Sequence, residues 1–252
     1  MSSTRALDDL GNKYTQMMKD AKAHLSQLHA SLPADWSTVE PALARRGWYP
    51  SLEVDLDWYN NIAELVKEGR LQQLDGRMAE VARYHVSLVR ELARECYLDR
   101  YELISDGLEA HEQGKYSLSI PVMLAQADGI CFEFLGSQLY SKESRLPRTR
   151  AKVRQKIREL PLTDYERDSD IFLHIVLDLL HRGTSIMDGT KVRQAERLKD
   201  STYGPLNRHG VMHGTETDYT TEENSLRAVM IVHCIMSAEQ EYNARAVAKP
   251  SA

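Results

Sequence analysis

The stretch KYSLSIPVMLAQADGICFEFLGSQLY, Lys115 to Tyr140, is apolar around most of the circumference a helix would present. An amphipathic surface helix shows one apolar stripe, whereas a helix apolar on all sides is one enclosed by others. The stretch therefore predicts the innermost helix of an all-α bundle. Pro121 belongs in its first turn or marks a kink, because proline has no amide hydrogen to donate. Asp128 falls between Leu124 and Cys131 on an apolar side, where a carboxylate is costly without a partner.

The segments on either side carry the stripes such a helix needs. Leu7, Leu10, Tyr14, Met17, Ala21, Leu25 and Leu28 recur every three or four residues and predict a helix from about Thr4 to Ala30. Pro33, Pro41, Gly47 and Pro50 then interrupt the pattern, with Trp48 and Tyr49 as anchors for the connecting loop. A short stripe, Trp58, Ile62, Leu65 and Val66, runs from Asp57 to Glu68 and ends at Gly69. A longer one, from Met78 to Tyr97, passes through Val81, His85, Leu88, Leu92 and Cys96, with His85 as a satisfied core histidine. Downstream, Asp168 or Ser169 caps a helix bearing Ile171, Phe172, Ile175, Val176 and Leu179, stopped by Gly183. The last helix starts with a capping box of Thr220 and Glu223 and buries Leu226, Val229, Met230, His233 and Met236 out to about Glu241. Neither an alternating strand pattern nor an Asn-Gly hairpin separates these segments, so the fold class is an all-α helical bundle.

At 252 residues and 42% hydrophobic, the chain can bury a substantial core without staples. Its formal net charge of -5 argues against wholesale coating of nucleic acid. One basic concentration stands out, RTRAKVRQKIR, in which every second residue is charged. Its composition favours a helix over a lone strand. Lys142, Arg145, Arg148, Arg150, Lys152, Arg154, Lys156 and Arg158 read either as a solvated face or as a surface that tracks an RNA backbone. The three cysteines, Cys96, Cys131 and Cys234, are odd in number and lack C-x-x-C spacing, which predicts neither a disulfide framework nor a zinc cluster. The opening MSSTRALDDLGNKYTQ has no apolar signal region, and no stretch looks long enough to span a bilayer. A soluble, unprocessed, cytoplasmic protein without membrane association is expected.

The densest chemistry lies in NRHGVMHG, Asn207 to Gly214, immediately before the last helix. Arg208 and His213 are separated by four residues, and the polar His209 follows the arginine. This arrangement resembles the signature of the HEPN superfamily, an arginine and a histidine four to six residues apart. The order of an apolar helix beginning KYSLSIPVML, a second helix DIFLHIVLDLL, the motif and a final helix TTEENSLRAVMIVHCIM resembles a four-helix HEPN core over roughly Asp106 to Tyr242. The expected organisation is an N-terminal helical region at 1–105, the HEPN-like bundle at 106–245, and a loose tail at 246–252.

The resemblance implies metal-independent RNA cleavage, with no cofactor, in a composite cleft formed by a homodimer. The residue types suit that chemistry. Histidine is the side chain suited to proton transfer at neutral pH, which makes His213 the candidate acid or base for the ribose 2'-hydroxyl and the leaving oxygen. Arg208 is the candidate for holding the scissile phosphate and the charge that grows on it. Asn207 and His209 are supporting or substrate-binding candidates, and Asp128 is a candidate partner that pre-positions Arg208. Some HEPN toxins carry a tyrosine two residues after the motif histidine, where a partner enzyme modifies them. Here that position is Thr215, so that route of regulation is not expected. Family association suggests an effector of prokaryotic defence or a toxin system, with the N-terminal helices as the dock for a regulatory protein.

Two other readings of the same residues stand beside this one. In the first, His209 and His213 share a helical face and, with Glu216 or Asp218, ligate the metal of a metal-dependent hydrolase. In the second, the chain is a catalytically silent RNA-binding or scaffolding module whose N-terminal stripe docks a protein.

Overall fold

The computed structural model describes residues 36–49, 56–139, 142–143, 146–147, 152, 155–156, 158–160, 186, 199 and 202–247. The expected helices at Thr4 to Ala30 and Asp168 to Gly183 lie outside these residues, as do Pro33, Pro50, Arg145, Arg148, Arg150, Arg154 and the end of the tail.

Among the described residues the chain is helical: α1 (Trp36–Arg46), α2 (Leu56–Lys67), α3 (Leu71–Cys96), α4 (Tyr101–Glu112), α5 (Tyr116–Leu135), α6 (Arg208–Met212) and α7 (Glu222–Val247). A single 3-10 turn, Leu98–Arg100, joins α3 to α4. The described strand pairing is a two-residue antiparallel contact, β1 (Lys142–Glu143) with β2 (Leu146–Pro147). The all-α reading therefore holds.

Local rules account for most of the boundaries. Gly69 ends α2 as expected, where its amide donates to the Val66 carbonyl at 3.1 Å and the Arg70 amide to Leu65 at 2.9 Å. Pro41, expected as a breaker, instead lies inside α1. Its missing amide leaves the Ser37 carbonyl without that bond, but Ser37 is at the start of the helix, where one bond fewer is tolerable. Pro121 sits in the second turn of α5, and the carbonyl it leaves is that of exposed Ser117, within reach of water. The cap of α7 is one residue later than the Thr220–Glu223 pattern predicts. Thr221 Oγ1 accepts the Asn224 amide at 3.2 Å, and Glu223 pairs with Arg227 at 2.5 Å.

Four helices form the main layer. α3 packs on α4, α4 on α5, α5 on α7, and α7 back on α3, which closes a ring. α2 packs on α3 and α1 on α2. Val39, Leu43, Trp48 and Ile62 from these outer elements join the same apolar core as Leu124, Ile130 and Val229. The expected 105/106 boundary falls inside α4, and residues on both sides of it share that core.

The innermost helix is α7. Every residue from 224 to 236 is buried, whereas α5 leaves Leu118 and Phe132 more than half exposed, at 59% and 54%. This reverses the ranking predicted from apolarity. α5 is the more apolar helix, and by length and composition alone it could cross a membrane, contrary to the sequence expectation. Enclosure depends on how many neighbours a helix has, and α7 has a polar partner for each of its buried polar residues. Asn224 Nδ2 donates to the Tyr219 carbonyl at 3.0 Å. Ser225 Oγ lies 2.8 Å from His111 Nδ1 and 2.9 Å from Ser119 Oγ. The His233 ring meets that of His85 edge to face at 4.4 Å, and His85 Nδ1 bonds the Val81 carbonyl at 2.8 Å. His85 is thus the satisfied core histidine its position predicted.

Candidate active site on a capped helical turn

NRHGVMHG folds as one short helix with both ends finished. Asn207, in extended conformation, is the N-cap of α6, and its Oδ1 accepts the Gly210 amide at 3.0 Å. At the other end the Gly214 amide donates to Val211 at 3.2 Å and the Thr215 amide to Gly210 at 2.9 Å. This closure needs a left-handed residue, which Gly214 supplies with φ of 65°. Asn207 is buried, so its structural role is established by the capping bond.

Gly210 is required for a different reason. A Cβ placed there would lie 2.4 Å from Glu216 Cδ and 2.5 Å from Cγ. The buried Glu216 side chain therefore occupies the space a larger residue would need, and the segment after α6 folds back under it.

What remains outside is the chemistry. His209 and His213 are exposed, and Arg208 is half-buried. The His213 amide donates to the His209 carbonyl at 3.1 Å, so the two residues are one helical turn apart. Their rings stack at 4.4 Å between centroids, inclined by 55°. Arg208 is five residues from His213, which by helical geometry puts it roughly 140° around the axis from it. The pair that faces together within one chain is thus His209 and His213.

An ion cluster that sequence reasoning missed holds the chain just upstream of the turn. Asp75 on α3 is buried and receives Trp48 Nε1 at 2.8 Å, Arg227 Nη2 at 3.1 Å and Arg46 Nε at 3.2 Å, with a second bond from Arg46 Nη2. The Arg227 guanidinium also stacks 4.4 Å from the Trp48 ring centroid and donates to the Arg46 carbonyl at 2.9 Å. Arg227 is fully buried, and burial pulls its pKa below the ordinary arginine value while Asp75 and Glu223 oppose that shift. Two guanidiniums and two carboxylates, those of Asp75 and Glu223, balance formally.

The cluster reaches the motif through the chain leading into it. Arg46 Nη1 donates to the Tyr203 carbonyl at 2.9 Å, and the Gly204 amide donates to the Arg45 carbonyl at 2.7 Å. Leu206 follows, wholly buried, and then the Asn207 cap. α6 itself rests against α5. The available sequence signal was Arg227, a cation set among apolar residues four positions after Glu223.

The remaining predicted site residues are dispersed or only partly described. Asp128 is half-buried on α5 and engaged in an interaction. The Cys131 thiol one turn further on is pushed well up, first by burial and then by the Asp128 charge. In the basic segment the described positions 152, 155, 156, 158 and 159 are helical, as expected. Lys152 and Arg158 are exposed. Lys156 instead places its ammonium 4.7 Å from the Tyr242 ring centroid and 5.5 Å from that of Phe134, which gives it a packing role.

Among the described residues, no group of three or more His, Cys, Asp or Glu side chains is arranged to hold a metal ion. The set of His209, His213 and Glu216 or Asp218 that a metal-dependent hydrolase would need is accordingly not assembled there. The Ser225–His111 contact has the atoms of a nucleophile and base, but Ser225 and Ser119 have no solvent exposure and no substrate can reach them. No family model, curated protein or solved structure matches the chain.

Proposed function

We propose that this chain is a metal-independent endoribonuclease that cleaves RNA by transphosphorylation at Arg208 and His213. The observation that carries the reading is the exposure of both motif imidazoles on a helical turn capped at one end by Asn207 and closed at the other through Gly214. A general acid or base must reach substrate while its backbone stays put, and this turn meets both conditions.

In the proposed reaction an imidazole takes the proton of a ribose 2'-hydroxyl, the 2'-oxygen attacks the adjacent phosphorus, and the 5'-oxygen leaves with a proton. The products are a 2',3'-cyclic phosphate and a 5'-hydroxyl. Arg208 stabilises the charge on the non-bridging oxygens, a task for a planar, permanently charged donor. Arg208 and His213 point to different sides of one turn, which suits a cleft in which a second copy supplies the complementary residue. A homodimer is therefore the working assembly in this reading. Exposed Lys152 and Arg158 are backbone contacts for RNA in it, and a role as an effector of prokaryotic defence or a toxin system, regulated by a protein partner, is its biological setting.

The test is cleavage of mixed RNA in EDTA by the full chain and by Arg208→Ala and His213→Ala. Loss of a transition-state contact should slow cleavage by about a hundredfold or more. Unchanged cleavage by either variant would remove that residue from the mechanism.

A further inference from the structure

Two imidazoles one helical turn apart, both exposed, have a property that proton transfer does not use: they can share a metal ion. A ligating imidazole nitrogen lies about 2.0–2.1 Å from a zinc ion, which puts each ring centre about 3.2 Å from it and two ring centres about 4.5–5.3 Å apart at right-angled to tetrahedral geometry. The His209 and His213 ring centres are 4.4 Å apart. The rings are therefore just short of ligating separation, and because both are exposed a small rotation of either side chain opens them to it. The backbone at this spacing is secured by the His213 amide bond to the His209 carbonyl, at 3.1 Å.

We infer that His209 and His213 form a two-ligand site for a divalent ion of the zinc or copper type, and that the bound ion silences the site. No third His, Cys, Asp or Glu joins the pair among the described residues, so water completes the coordination and the ion is exchangeable. Imidazole nitrogens suit zinc, copper and nickel far better than magnesium or calcium. The silencing half rests on the ribonuclease reading. A nitrogen lone pair that ligates metal cannot accept a proton, so occupancy and catalysis exclude each other at His213. This is the opposite of a metal-dependent hydrolase, in which the same ion would activate.

Binding is measured directly, by titrating ZnCl2 into untagged full chain and into His209→Ala, His213→Ala and the double variant, each checked for unchanged helicity. Expected is the same loss in both single variants: the zinc bound by wild type with highest affinity weakens about tenfold or more, the equivalent of about 1.4 kcal/mol. A double variant that titrates like wild type overturns the site. A second reading needs no variant to fold. Substoichiometric copper ion added to wild type should broaden the ring resonances of two histidines before all others, and uniform broadening overturns the pairing. The cleavage arm is separate. Zinc should stop RNA cleavage and EDTA restore it. Zinc bound at the pair with cleavage unaffected refutes the silencing. Binding without any cleavage in EDTA refutes the ribonuclease reading and the silencing with it, and leaves the metal site standing.

Discussion

Asp75→Asn tests whether the buried ion cluster holds the chain that leads into the motif. The change is nearly isosteric, and the amide oxygen can still receive Trp48 Nε1, which now lies 2.8 Å from the carboxylate. What disappears is the charge that faces Arg46 and the fully buried Arg227. Arg227 would retain Glu223, but that carboxylate is 43% exposed and so offsets a buried charge less effectively. Breaking a buried pair by neutralising one partner costs about 3–5 kcal/mol. For a chain of this size about 2–4 °C of melting temperature accompanies each kcal/mol, so a fall of roughly 6–20 °C is expected. Urea unfolding followed by circular dichroism gives the free energy, and calorimetry gives the temperature. Asp75→Asn combined with Arg227→Met should recover part of the loss, because removing both charges avoids an uncompensated one. A single variant within about 1 kcal/mol of wild type would mean the cluster is hydrated in solution, and the argument that it anchors the segment from Tyr203 to Asn207 would fail.

Two further predictions concern the turn and the core. Gly210→Ala forces a Cβ against the Glu216 carboxyl group, so it should cost about 1–3 kcal/mol as an overpacking change. A double-mutant cycle with Glu216→Ala should show favourable coupling, and strict additivity would refute the clash. The second concerns pH. Burial holds the His111 imidazole below its ordinary value of 6.5, against the opposing Glu222 and Glu112 charges. The folded state thus binds this proton less readily than the unfolded state. Its contribution to stability is complete above about pH 6.5 and is lost as pH falls below that range. His111→Gln should flatten the decline in urea midpoint between neutral and mildly acidic pH, and an unaltered decline would refute the assignment.

Much of the chemistry was legible because it is local. An arginine and two histidines within eight residues are countable. The boundaries of α2 and most of α3 came from apolar spacing in the same way. The errors arose where a local rule met a neighbour. Thr220 and Glu223 satisfy the pattern of a capping box, yet the buried Arg227 claims Glu223 and the cap passes to Thr221. Pro41 reads as a breaker, but near a helix start it removes a single bond and α1 continues through it.

The amino-acid sequence by itself determined that the chain is helical and that its reactive side chains are gathered ahead of the last helix, because periodicity and clustering act over a few residues. Only the tertiary structure decided which helix is central. α5 is the more apolar, but α7 is enclosed, since Ser225, Arg227 and His233 each find a partner on a helix distant in sequence. The free energy of burying a polar group is set by what it meets there, and that information is carried by His111, Asp75 and His85 rather than by α7.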